Sequence, residues 1–142
     1  MTSEPSTLFS IMCDDIREEA LNKVSLLGIY GPDIVFKKLP AVIPKLSFFA
    51  RTTGGAGRYK FNFRLQGPGP DAMPLVQGQG VMEIPSRQPK DAVTTFAIVM
   101  GNPSFNQAGA YRFQVFLDGK TEPLVDHPFR IKTDPKMFRG RH

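Results

Sequence analysis

The sequence predicts an all-β fold, a two-sheet sandwich of about eight or nine strands. Three observations carry this. Segments such as Arg58-Tyr59-Lys60-Phe61-Asn62-Phe63-Arg64-Leu65 alternate polar and apolar residues with the two-residue period of a half-buried strand. Thirteen prolines and thirteen glycines are spread along the chain and punctuate it, as turns between many short strands would. Twelve phenylalanines supply bulky core material in a chain without tryptophan.

The elements follow in order. Leu8 to Cys13 reads as a first strand. Asp14 to Asn22 admits two readings: two helical turns capped by Asp14 or Asp15, or the end of the first strand and a turn into Lys23. The apolar set Ile16, Ala20, Leu21 is thin for a helix face, which favours strand and turn. Lys23 to Tyr30 and Asp33 to Phe36 are strands divided by Gly31-Pro32. Lys45 to Thr52 and Arg58 to Leu65 flank the loop Gly54-Gly55-Ala56-Gly57, and this spacing predicts an antiparallel hairpin. Beyond Gly67-Pro68-Gly69-Pro70 come Leu75 to Ile84 and Val93 to Met100, the latter ending at Gly101-Asn102-Pro103. Ala110 to Leu117 turns Tyr111, Phe113, Val115 and Leu117 inward, and Asp118-Gly119 marks the turn towards Leu124 to Lys132. The spacing of strands and turns fits a sandwich or barrel. Residues 1–133 are expected to form a single domain and 134–142 a loose basic tail.

At 142 residues the chain has the length of one domain. A domain of that size buries about two thirds of its unfolded surface and needs no disulfide or metal for stability. Apolar residues make up 41% and charged residues 22%, proportions of a globular chain rather than a disordered one. Cys13 is the only cysteine, which excludes an internal disulfide and a Cys-based zinc site and suits a reducing compartment. Met1 to Thr7 lacks the pattern of a signal peptide, and no apolar stretch approaches the roughly 20 residues of a membrane span. The expectation by default is cytoplasmic.

Gln107-Ala108-Gly109-Ala110-Tyr111-Arg112-Phe113-Gln114-Val115 resembles the tyrosine corner of immunoglobulin-like sandwiches. There a small turn precedes a tyrosine that opens a late strand, and its hydroxyl ties the strand to an earlier loop. The resemblance implies an immunoglobulin-like sandwich with a structural role for Tyr111. The disulfide pair and core tryptophan of antibody domains are absent. A second resemblance rests on Cys13-Asp14-Asp15-Ile16-Arg17-Glu18-Glu19 followed by Lys23-Val24-Ser25-Leu26-Leu27-Gly28-Ile29-Tyr30, with a late Gly109 to Gly119 strand and a final Pro128-Phe129-Arg130-Ile131. In these the chain is similar to an uncharacterised β-sandwich family associated with bacteria and phages. That resemblance implies such an origin and no activity.

Catalytic and ligand motifs are weak. Asp14, Asp15, Glu18 and Glu19 lack the loop spacing of a hard-cation site and read as solvated acids beside Arg17. Asp126-His127 with Ser10 or Ser104 lacks a nucleophile elbow, so no triad is expected. Cys13 reads as a small buried residue rather than a partner of His127. Gly54-Gly55-Ala56-Gly57-Arg58 leads into a strand, whereas a phosphate loop leads into a helix. No enzyme activity, cofactor or metal is expected.

The charge layout is the informative feature. No acidic residue lies between Asp33 and Asp71, a stretch that holds Lys37, Lys38, Lys45, Arg51, Arg58, Lys60 and Arg64. In the predicted hairpin, parity puts Arg58, Lys60 and Arg64 on the outer face with Lys45 and Arg51 beside them, a surface for an anionic partner. The function expected is a non-enzymatic interaction or structural module. It would bind protein, a second copy included, through a sheet face or edge, in a phage or bacterial assembly. The alternative is a nucleic-acid-binding domain using the cationic hairpin 45–64. Against it, Tyr59, Phe61 and Phe63 alternate away from the cations, leaving Phe49 and Phe116 as the outward strand aromatics.

Overall fold

A computed structural model describes residues 5–69, 73–84 and 93–136. Nine strands of four residues or more lie among them: β1 (Ser6–Glu18), β2 (Val24–Ile29), β3 (Asp33–Phe36), β5 (Lys45–Thr53), β6 (Gly57–Gln66), β7 (Val76–Ile84), β8 (Val93–Gly101), β10 (Gly109–Leu117) and β11 (Val125–Thr133). Two short ones, β4 (Ala41–Val42) and β9 (Ser104–Phe105), pair only with each other. Two residues carry no period, so these had no signature in the sequence.

The long strands form two sheets, ordered β2-β1-β5-β8 and β3-β11-β10-β6-β7. Every pairing is antiparallel except β3 with β11. β5, β6, β7, β8, β10 and β11 stand where strands B, C, C′, E, F and G stand in an immunoglobulin-like sandwich. The fold is of that class.

The sheets meet through the inward residues that alternation selects. Met12, Leu46, Phe48, Ala50, Phe96 and Met100 come from the four-stranded sheet; Leu65, Phe113, Val115, Phe129 and Ile131 come from the other. Phe48 stacks on Phe113 with ring centroids 4.0 Å apart, joining β5 to β10 across the interior. A buried aromatic pair of this kind adds about 1 kcal/mol beyond its area.

Residues 14–22 take the strand-and-turn form. β1 continues to Glu18 because Asp15, Ile16, Arg17 and Glu18 pair with Leu27, Leu26, Ser25 and Val24 of β2. The turn is a short 3-10 segment, Ala20–Asn22, with Leu21 in the left-handed region at φ 63°.

The expected hairpin across residues 45–64 does not form. β5 pairs with β1 and β8, whereas β6 pairs with β10 and β7 in the opposite sheet. The glycine loop is an arch between sheets. Gly55, at φ 69°, lies where a Cβ would meet the Pro5 ring at 2.4 Å, so Pro5 packs directly on the arch. Of the expected tail, Asp134 donates its N–H to the Phe36 carbonyl at 2.9 Å, and 137–142 lie outside the described residues.

Candidate interaction surfaces

Because β5 and β6 diverge, the five cations divide between two outer faces. Lys45 and Arg51 sit on the four-stranded sheet; Arg58, Lys60 and Arg64 sit on the five-stranded one. The correction is physical: parity fixes the face of a strand, but backbone pairing fixes its sheet.

The outer face of the four-stranded sheet is apolar. Cross-strand register builds it row by row. Ile29, Cys13, Ser47 and Val99 form one row; Ile11, Phe49 and Ala97 the next; Phe9, Arg51 and Thr95 the third. Ile29 is 61% exposed, Val99 50% and Phe9 44%, while Phe49 at the centre is only 2% exposed. Phe9 and Phe49 pack tilted at 6.3 Å, and the Arg51 guanidinium lies 5.6 Å from the Phe49 ring centre. Arg51 Nε is buried with no hydrogen-bond partner among the described residues. Cys13 is fully buried within this face rather than between the sheets, and burial pushes its thiol pKa up, with Asp14 adding to the effect. A raised pKa makes it a poor nucleophile.

Charge closes the face at one end. Lys45 Nζ lies 2.7 Å from Asp15 Oδ1, and the Arg17 Nε is 3.8 Å from the other carboxylate oxygen. The hydrogen bond from Lys45 holds the Asp15 carboxyl below its ordinary range. Beside it, Tyr30 donates its hydroxyl to Asp14 Oδ1 at 2.5 Å. Gly28, at φ 67°, leaves room for that carboxylate: a Cβ there would stand 2.3 Å from Asp14 Oδ2. Burial, then the Asp14 hydrogen bond, drives the Tyr30 pKa upward. The residues of the Cys-Asp-Asp-Ile-Arg and Lys-x-Ser-x-x-Gly-x-Tyr segments thus meet on one β1–β2 hairpin.

The outer face of the five-stranded sheet is polar. Arg58 stands opposite Glu83, Lys60 opposite Val81, and Arg64 between Gln77 and Gln114. Arg64 donates to Gln114 Oε1 at 3.0 Å while its guanidinium lies 4.9 Å from the Phe116 ring centre. A shallow groove of about 800 Å³ runs here, lined by Asn62, Arg64, Gln77, Gln79, Phe116 and Lys120 among others. Further cations of this sheet have acidic partners: Arg112 Nη1 reaches both oxygens of Asp126 at 2.8 Å, and Lys132 reaches Asp33 at 2.9 Å.

Between the sheets, Ser10 Oγ and His127 Nδ1 are 2.8 Å apart. His127 stands edge-on to Phe48, and burial lowers its pKa against the opposing pull of Asp126. Asp126 points to the opposite face with Arg112, so it does not orient the imidazole as a triad would require. Ser104 lies in β9, which pairs with β4 outside both large sheets. Tyr111 is buried and donates its hydroxyl to the Gln107 carbonyl at 2.6 Å, four residues upstream, the geometry of a tyrosine corner. Among the described residues no three His, Cys, Asp or Glu side chains converge as a metal centre needs, and no helix is long and apolar enough to cross a membrane.

The reading of Phe49 and Phe116 as outward matches their positions, but Phe9, Ile11, Ile29 and Val99 went unassigned. The signal for this face lies in β5, the strand beside β1 and β8, and is a failure of alternation. Leu46-Ser47-Phe48-Phe49-Ala50 is apolar or small on both faces and is buried throughout.

Sheet order and corner define an immunoglobulin-like β-sandwich whose outer faces differ in chemistry. The chain belongs to a family of unknown function (DUF6941), whose model matches residues 8–132. No curated protein matches it. Among solved structures it is similar to an immunoglobulin-like protein from Pseudomonas aeruginosa. That match has 16% identity, covers 91% of this chain and 97% of the other, and has a TM-score of 0.43.

Proposed function

We propose that this chain is a non-enzymatic protein-interaction module that docks through the outer face of its four-stranded sheet. The observation that carries this is the apolar field of Phe9, Ile11, Ile29, Phe49 and Val99 on a face where a solvated sheet would alternate to polar residues. The Arg51 guanidinium sits 5.6 Å from the Phe49 ring centre in the middle of this field, and arginine beside an aromatic ring is a common composition for the core of an interface. A structural part of a bacterial or phage assembly, in a reducing cytoplasm that suits the lone thiol, is the setting this reading favours.

The test is capture from a bacterial host lysate by the wild-type chain and by Ile29→Asp, an exposed position. A captured protein that Ile29→Asp releases supports the reading. Equal capture by both, or none by either together with a monomeric mass, overturns it.

A second reading, nucleic-acid binding, is favoured by Arg58, Lys60 and Arg64 sharing one face with Phe116. Titration with labelled single- and double-stranded DNA at low and moderate salt tests it. Binding that weakens with salt and with Arg58→Glu/Lys60→Glu/Arg64→Glu supports it; no binding at low salt removes it.

A further inference from the structure

The edges of the sandwich are protected unequally. Sheet edges invite pairing with other chains, and proteins blunt them with charge, proline, bulges, glycine or shortness. β3 has four residues and begins with Asp33. β7 carries Gly78, Gly80 and Glu83. β2 has six residues, with Gly28 at φ 67°. β8 has none of these devices in its interior. It pairs with β5 over all nine residues, Val93 to Gly101, with no register shift, unlike β1, which is irregular between Thr7 and Phe9. Its sequence Val-Thr-Thr-Phe-Ala-Ile-Val-Met-Gly holds no charged residue and no proline. Among the described residues no strand pairs with its other side.

We infer that two copies of this chain pair antiparallel through β8, joining their four-stranded sheets into one across a two-fold axis at Ala97. The inference rests on the interaction-module reading and names a partner for it. Full overlap of nine residues puts the middle one, Ala97, on the axis, where a small side chain allows close approach. On the outer face Thr95 then stands opposite the partner's Val99, and on the inner face Phe96 opposite the partner's Ile98. Aliphatic, aromatic and threonine cross-strand pairs of this kind are favourable. The edge suits a second copy: the net +5 of the chain opposes self-contact elsewhere, but β8 holds no charged residue, so two copies meeting along it set no like charges opposite each other. The apolar outer face also continues across the axis, Ala97 of one copy beside Ala97 of the other with each Val99 diagonal to it.

Light scattering over a range of concentrations tests this with two double variants at exposed outer positions. In the paired register, Thr95→Lys/Val99→Lys sets like charges opposite each other twice. Thr95→Lys/Val99→Glu sets opposite charges there with the same loss of apolar surface. The wild type is expected to reach twice the 15.8 kDa chain mass. The like-charge variant should weaken the dimer by about tenfold or more, and the opposite-charge variant should stay within a few-fold of wild type. A wild type monomeric throughout, loss of the dimer in both variants, or loss in neither overturns the inference. Ile29→Asp separates the two readings, since β2 lies at the far edge from β8. A monomer whose lysate capture still depends on Ile29 loses only the dimer; a monomer without such capture loses the module reading as well.

Discussion

The two outer faces of this sandwich come from strands of the same kind and differ in what parity delivers to them. On the five-stranded sheet, outward positions carry Arg58, Lys60, Asn62, Arg64, Arg112, Gln114 and Asp126, the ordinary solvated face of an antiparallel sheet. On the four-stranded sheet the same parity delivers Phe9, Ile11, Cys13, Ile29, Phe49 and Val99. Alternation therefore separates inside from outside only where outward positions are polar; in β5, apolar or small on both faces from Leu46 to Ala50, it does not.

The largest effect that sharpens this contrast separates the neighbours Phe48 and Phe49. Both are 2% exposed, but Phe48 stacks on Phe113 between the sheets and Phe49 lies on the outer face. Phe48→Ala should destabilise by about 3–5 kcal/mol in denaturant titrations, because its cavity is enclosed by both sheets. Phe49→Ala should cost about 1.5–3 kcal/mol, the transfer cost of a buried ring on a face that solvent can refill. Equal losses would mean the outer face is packed like a second core.

Next is the corner. Tyr111→Phe keeps the ring stacked on Phe129, with centroids 5.6 Å apart, and removes the hydrogen bond to Gln107. A loss of about 1 kcal/mol is expected in the same titration.

A smaller effect depends on pH. Burial holds His127 below its ordinary pKa of 6.5, so the folded state resists the proton that the unfolded state accepts. Its contribution is complete above that value and is lost as the pH falls through and below it. Unfolding measured between pH 8 and about 5 should show stability falling with pH, and His127→Gln should flatten that slope. An unchanged slope would place the titrating group elsewhere.

The smallest effects belong to the surface. Ile29→Asp should leave stability within about 0.5 kcal/mol, because the side chain is 61% exposed. Arg112→Ala should cost less than about 1 kcal/mol despite its contact with Asp126, since solvent screens an exposed pair. If Ile29→Asp instead unfolds the chain, the outer face belongs to the folding core and not to a partner.

The strands themselves were legible. The period of two over Arg58–Leu65 and Ala110–Leu117 selected the residues that face the interior, and the small turn before Tyr111 marked where its hydroxyl ties back. These are local properties, written in side-chain order and turn chemistry. What pairs with what was not legible. A glycine-rich loop serves a hairpin or an arch equally well, and the arch prevails here because β1 and β8 occupy both edges of β5. Backbone hydrogen bonds are the same for every sequence, so only the packed sandwich could place Arg51 and Arg58 on opposite sides and gather Phe9, Ile29 and Val99 on one. By itself the sequence determined which way the side chains of the alternating strands β6 and β10 point. The tertiary structure decided which neighbours they meet, because pairing is settled by burying both sheets at once and not by any single strand.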